Sequence, residues 1–204
     1  MTVDPNALAR LHNHWETIVK DQPEWWLACV ELRNRHDQLA REWLLSALRG
    51  GGLDKSGLKH LLFHADRDID RETGKVGHGR YGKTFALDLP NMSWAKNDAR
   101  LAAVSESLRA FYREEIGLDE ALDQQNRMSS FLFVTLGAFL LDPSRHIPWV
   151  AEVHTAVAEL NPPMPRRMPK AEAYRTFLAQ THELTGALEG CPPNMVDRLL
   201  FDLG

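Results

Sequence analysis

Apolar residues recur every three or four positions along much of the chain, which is the pattern of amphipathic helices. In the first such segment, Asp4 is a capping residue and Pro5 suits the first helical position. The segment is therefore predicted to be a helix that begins near residue 5. Its apolar stripe contains Leu8, Leu11, Trp15 and Ile18.

A second, longer helix is predicted to begin at Pro23 and to end at the three glycines 50–52. Arg33 and Asp37 lie four residues apart in its stripe, so we expect them to pair at the polar edge of that stripe. The other members of the stripe are Trp26, Val30, Ala40, Trp43, Leu44 and Ala47.

The second half of the chain carries further helical patterns. One helix is predicted to start at Asn97 and Asp98 and to stop at Gly117, and Asp119 is predicted to cap the next. Residues 131–141 are apolar on every side, which indicates a central buried helix ended by Asp142 and Pro143. Later helices are predicted to open at Ile147 and Pro148, to span residues 170–188, and to start at Pro192 and Pro193.

Between these two halves lies a polar, Gly-rich stretch at about residues 64–96 that shows little helical periodicity. A short helix at 54–63 and one short strand at 85–89 are weaker patterns beside it. The fold class predicted from the whole pattern is all-α, a multi-helix bundle with one long polar, Gly-rich loop. We expect a single helical domain over residues 1–204, with an alternative boundary near residues 90–97.

Composition narrows the class of protein. With 204 residues, 44% of them hydrophobic and 25% charged, the chain can bury a large hydrophobic core. Disulfide bonds or a structural metal ion are therefore not required for stability. Two cysteines form no disulfide framework, and the sequence starts without a signal-peptide pattern, so we expect a cytoplasmic protein with no membrane segment. A net charge of −4 argues against a protein that binds nucleic acid non-specifically through a basic surface. Nothing in the sequence calls for a cofactor.

Residues 77–84 read GHGRYGKT and formally match the phosphate-loop pattern GxxxxGK[ST]. That loop requires a buried strand before it and a helix directly after it, and neither pattern is present here. We therefore interpret the segment as a solvated loop whose cations could contact an anion or a phosphate. The residues of this predicted anion site are Lys75, His78, Arg80 and Lys83.

A second cluster places His64, Asp66, Asp68 and Asp70 at alternate positions. If this stretch is extended, an imidazole and several carboxylates would lie on one side and could hold a divalent metal that activates water. The competing interpretation is a charged surface turn, because Arg67 lies close enough to neutralise the acids.

The most basic part of the chain surrounds a proline-rich segment near residue 163. These side chains could bind phosphates or an acidic partner, or they could form a solvated rim between two helices. The residues are Arg145, Arg166, Arg167, Lys170 and Arg175.

Residues 128–203 resemble a helical segment of bacterial restriction-associated proteins, including regions N-terminal to the motor of McrB-like AAA+ GTPases. The resemblance is carried by an apolar helix followed by FLLDPSRHIP at 139–148, by Tyr174 with Phe177 and Leu178, and by MVDRLLF at 195–201. These are mainly packing residues and helix breakers. The chain has no motor domain and no recognisable nuclease motif.

The resemblance implies a non-enzymatic helical recognition or accessory module of a bacterial defence- or restriction-type, nucleic-acid-processing system. Its expected partner is a protein, with nucleic acid as the alternative. A metal-dependent phosphoesterase or nuclease that uses the cluster at 64–70 is the competing hypothesis. A third hypothesis is a structural oligomer whose interface is formed by tryptophans, because the chain contains six of them.

Overall fold

The computed structural model describes residues 5–50, 98–125, 128–149, 151–160, 168–186 and 188–201. Within these ranges the regular elements are all helical and no strand is present, which confirms the predicted all-α class. In chain order they are α1 (Pro5–Asp21), α2 (Pro23–Arg49), α3 (Asp98–Tyr112), α4 (Leu118–Asp123), α5 (Met128–Leu141), α6 (Ala151–Leu160), α7 (Lys170–Thr185), a 3-10 helix (Pro193–Met195) and α8 (Val196–Phe201).

The two N-terminal helices form as the sequence predicts. Prolines occupy the first positions of α1 and α2, where the missing N–H has no intrahelical partner to lose. The two helices pack against each other, and Trp15 meets Trp26 edge to face with ring centroids 5.1 Å apart. The long α2 therefore lies with one face against the core and the other exposed.

Helix α5 is the centre of the molecule, as its uniformly apolar sequence predicts. Phe131 and residues 133–140 are buried, and the helix contacts α2, α3 and α4. Gly137 permits a close approach of α5 to α3: a Cβ added there would lie 2.6 Å from the Leu108 Cδ2 atom. A larger residue at this position would require the Leu108 side chain to shift.

Four predicted boundaries are wrong, the last being the end of α7, which lies at Thr185 rather than at residue 188. Helix α3 ends at Tyr112 rather than Gly117, because the chain turns at once through Glu114 at a φ of 60°. Gly117, in an extended conformation, precedes α4, so Asp119 lies inside the first turn instead of capping it.

The third difference concerns α6, which begins at Ala151 rather than at Ile147 and Pro148. These two residues are buried but lie outside any helix, and the Tyr174 hydroxyl donates a hydrogen bond of 2.9 Å to the Ile147 carbonyl. A long-range contact that the local pattern does not encode therefore delays the helix.

No helix in the described part of the chain combines the length and apolarity needed to cross a membrane. The predicted helix at 54–63, the strand at 85–89 and the loop at 64–96 lie outside the described residues. So does the alternative domain boundary near 90–97, and the single domain over residues 1–204 stays a prediction.

Candidate recognition cleft

Arg33, near the middle of α2, is completely buried. Its position on the helix faces the core, between neighbours that include Cys29 and Ala40. Removing a guanidinium from water carries a large free-energy penalty unless charged and polar partners replace the water. The surroundings of Arg33 supply such partners.

Two carboxylates pair with this guanidinium. The Nε atom of Arg33 donates to the Asp37 Oδ1 atom at 2.9 Å, and Nη2 lies 3.1 Å from each carboxylate oxygen of Asp197. Burial lowers the pKa of Arg33, but the two aspartates outweigh it and the net pKa is raised. The predicted pair of Arg33 and Asp37 is confirmed, with Arg33 fully buried and Asp37 partly exposed.

Phe139 on α5 completes the environment of the guanidinium. The Arg33 Cζ atom lies 5.5 Å from the centroid of the Phe139 ring, within the range of a cation–π contact. Helices α2, α5 and α8 thus meet at a single charged side chain.

The amide of Asn194, in the 3-10 helix, extends the pairing toward the surface. Its Nδ2 atom donates to the Asp37 Oδ2 atom at 2.8 Å and to the Asn34 Oδ1 atom at 2.9 Å. Both N–H groups of Asn194 are then used, which leaves its Oδ1 as an acceptor and the Asn34 Nδ2 as a donor. We call these five residues the Arg33 network: Asn34, Arg33, Asp37, Asn194 and Asp197.

Beside the network is a cleft of about 300 Å³, between α2, the end of α5 and the 3-10 helix. Its polar wall includes Asn34, Asp37 and Asn194 from the network. The remaining described residues that line it are Gln38, Arg41, Phe139, Leu140 and Pro143.

The charge around the cleft is nearly balanced. One arginine faces two aspartates in the network, which gives a formal charge of −1. On the exposed face of α2, Arg41 and Glu42 add one charge of each sign. Gln38 donates to Glu42 at 2.9 Å, so its Oε1 atom is available as an acceptor. The cleft therefore suits a group with an apolar body and neutral or weakly charged polar edges.

A rigid turn after α5 places Pro143 at the cleft. The Asp142 Oδ1 atom accepts hydrogen bonds from the Ser144 Oγ at 2.6 Å and from the Ser144 backbone N–H at 3.1 Å. Chiefly because of the hydroxyl contact, the pKa of Asp142 is lowered. Arg145, one of the predicted basic residues, is exposed on this same turn.

Most other predicted site residues fall outside the described part of the chain. This holds for the metal cluster of His64, Asp66, Asp68 and Asp70. It holds also for the remaining cations of the predicted anion sites, which are Lys75, His78, Arg80, Lys83, Arg166 and Arg167.

Within the described ranges, no group of three His, Cys, Asp or Glu side chains is placed to hold a metal ion. Arg175 forms an ion pair with Asp119, which joins α7 to α4. Lys170 begins α7 and is half-buried. Of the predicted basic group, only the exposed Arg145 lies close in sequence to a residue of the cleft.

The sequence pattern did not reveal Asn34, Asn194 and Asp197 as members of a site. Asp197 is separated from Arg33 by 164 positions, and a single acid in the short apolar segment 195–201 looks like a surface residue. Comparison of the chain with protein-family models, curated proteins and solved structures finds no match. The resemblance of residues 128–203 to restriction-associated proteins therefore stays a prediction.

Proposed function

We propose that this protein is a non-enzymatic helical recognition module that binds a protein partner through the cleft beside the Arg33 network. The system in which it acts is a bacterial defence- or restriction-type, nucleic-acid-processing one. The placement in such a system rests on the resemblance of residues 128–203 alone, whereas the binding role rests on the cleft.

The observation that carries the proposal is the fixed polar wall of the cleft. The ion pair with the buried Arg33 holds Asp37 in place, Asp37 holds Asn194, and Asn194 orients Asn34. Hydrogen-bonding groups that are ordered before binding lose little conformational entropy when a partner arrives. A buried charged network contributes little net stability compared with apolar packing, and we propose that this one serves specificity.

The chemical character of the lining favours binding over turnover. The one carboxylate among the described lining residues, Asp37, already accepts from Arg33 and Asn194. The same part of the lining contains no His, Cys, Ser or Lys that could act as a base or nucleophile. Amides, a guanidinium and apolar carbon remain, and these are recognition groups.

The direct test blocks the cleft without disturbing the core. Gln38 is exposed at the cleft, so Gln38→Trp places an indole at its mouth, while Ser46→Trp adds the same side chain to another exposed position of α2. Each tagged variant and the wild type would be purified from the native host, with the co-purified proteins and nucleic acids quantified.

We expect one protein to be recovered with the wild type and with Ser46→Trp, and to be depleted at least about tenfold with Gln38→Trp. Equal recovery with all three chains would contradict the role of the cleft. The proposal of a protein partner would be contradicted if nucleic acid is recovered and no co-purified protein depends on the cleft.

A further inference from the structure

We infer that the cleft selects an uncharged carboxamide, which the partner protein supplies as an asparagine or glutamine side chain. This inference rests on the proposed function and adds the chemical group that is recognised. The selection follows from the order in which donors and acceptors are fixed along the Arg33 network, from the buried guanidinium to the amides that line the cleft.

Arg33 fixes the direction of each hydrogen bond that follows it. A guanidinium only donates, and an ionised carboxylate only accepts. Asp37, paired with Arg33, presents an acceptor, so the group of Asn194 that lies 2.8 Å from the Asp37 Oδ2 atom is its amino group. The second N–H of Asn194 faces Asn34 at 2.9 Å, so the Asn34 atom at this contact is its oxygen.

Three hydrogen-bonding groups are left for a ligand at the cleft. The Asn194 Oδ1 atom is an acceptor that has no partner in the described part of the chain and is not enclosed by protein. The Nδ2 atom of the exposed Asn34 is a donor. Gln38, one turn further along α2, offers its Oε1 atom as a second acceptor, because its amino group donates to Glu42.

A primary carboxamide is the complement of this set, because it carries two N–H donors and one carbonyl acceptor on a single planar group. Its carbonyl accepts from Asn34, and its amino group donates to Asn194 and Gln38. Its aliphatic stem then packs on Leu140 and Pro143, which belong to the apolar part of the lining.

Charged groups of similar size fit less well. A carboxylate has no donor for the Asn194 oxygen, and an ammonium has no acceptor for the Asn34 amino group. A polar group that a ligand covers without pairing loses its water and gains nothing in return. The exposed charges along α2 do not reverse this preference, because they are of both signs and are screened by water and salt. These charges are Glu31, Arg35, Arg41 and Glu42.

Three small probes test the selection in the full chain: butyramide, butyrate and n-butylammonium. Each is titrated at neutral pH into isotope-labelled protein, and the side-chain amide signals of Asn34 and Asn194 are followed by NMR. The ammonium is the stronger of the two charged competitors, because one guanidinium and two carboxylates give the network a formal charge of −1. Gln38→Trp, which covers the cleft, shows which signal changes arise there.

We expect butyramide to shift both amide signals in the wild type and neither in Gln38→Trp. Its Kd should be at least about tenfold lower than that of either charged probe, because each of those leaves a covered group unpaired. Equal or tighter binding of a charged probe, or no binding of butyramide, overturns the inference. Cytidine, whose base also carries a donor beside an acceptor, tests a nucleic-acid source, and tighter binding of cytidine than of butyramide overturns it too.

Asn34→Asp is a second test, because it reverses one group and keeps the rest. The aspartate still accepts from the Asn194 amino group, but it presents an acceptor where the wild type presents a donor. We expect this variant to bind butylammonium more tightly than butyramide. Asn13→Asp adds the same charge to an exposed position of α1 and should keep the order of the wild type. The wild-type order in Asn34→Asp as well would contradict the selection.

The inference and the proposed function fail in different ways. If a protein purified from the native host depends on the cleft but the wild type prefers a charged probe, the cleft is a docking site and the carboxamide is wrong. If butyramide is preferred but no co-purified protein depends on the cleft, the selection is correct and the protein partner is wrong.

Discussion

At the scale of single residues, the Arg33 guanidinium joins parts of the chain that are distant in sequence. Asp197 and Asn194 belong to the C-terminal segment, and both reach Arg33 or its partner Asp37 on α2. Replacing a whole buried ion cluster by apolar residues often changes stability little, whereas removing one member leaves the others uncompensated. The network is therefore most sensitive to loss of its single cation.

We expect Arg33→Met to lower the free energy of unfolding by about 3–5 kcal/mol, because two largely buried carboxylates lose their counter-ion. Chemical denaturation followed by circular dichroism measures the change. Arg41→Met, which removes an exposed arginine from the same helix, should change it by less than about 0.5 kcal/mol. If Arg33→Met is as stable as the wild type, the network does not hold α8 against α2.

Two half-buried histidines predict how stability depends on pH. Burial lowers the pKa of His146 and of His154 below the ordinary value of 6.5, with Arg145 and His182 adding to the effect at His146 and Asp142 opposing it. The unfolded chain then binds more protons than the folded chain as the pH falls through 6.5 toward the folded pKa values. Stability is therefore lost on acidification.

The measurement is the free energy of unfolding at about pH 7.5 and at about pH 5.5. The wild type should be less stable at the lower pH, and the difference should shrink in His146→Gln. The Nδ1 atom of His146 is buried without a hydrogen-bond partner among the described atoms, which adds to the penalty of protonation. An unchanged difference in the variant would show that His146 is not responsible.

At the scale of elements, the sequence predicts the helices that depend on local signals. Pro5 and Pro23 open α1 and α2, Gly50 follows α2, and the apolar run at 131–141 forms the buried α5. The prediction fails at the start of α6, where Ile147 lies outside any helix and its carbonyl accepts a hydrogen bond from the Tyr174 hydroxyl. Such boundaries depend on tertiary contacts that no local pattern contains.

Packing between α3 and α5 depends on Gly137. In Gly137→Ala the new methyl group would lie 2.6 Å from a Cδ atom of Leu108, which is fully buried among other side chains. We expect a loss of about 1–2 kcal/mol in the free energy of unfolding, since the overpacking exceeds the gain in helix propensity.

A double-mutant cycle isolates that contact. Leu108→Ala removes the clashing atoms, so the double variant should be more stable than the sum of the single changes predicts, by about 1 kcal/mol. Strict additivity would mean that the helices separate to relieve the clash elsewhere.

At the scale of the whole molecule, the candidate site combines one local pair with contacts from the far end of the chain. The spacing of Arg33 and Asp37 was sufficient to predict their ion pair, because residues four apart on a helix are neighbours. Asp197 and Asn194 could not be predicted in this way, since their approach depends on how α8 and the 3-10 helix pack. The sequence patterns instead predicted sites in the polar segment 64–84, a metal cluster and an anion site.

This organisation makes the cleft an outcome of the tertiary fold rather than of any motif. Its walls come from α2, from the end of α5 with its turn, and from the 3-10 helix. Changes in the network should therefore alter binding as well as stability, whereas changes at the mouth should alter binding alone.

The central claim is that the cleft binds a partner, and the affinity of that partner tests it most directly. Isothermal titration calorimetry with the purified partner would compare the wild type with Gln38→Trp, after thermal unfolding has shown the two to be equally stable. We predict that Kd rises at least about tenfold in Gln38→Trp and stays unchanged in Ser46→Trp. An unchanged Kd in Gln38→Trp would contradict the claim.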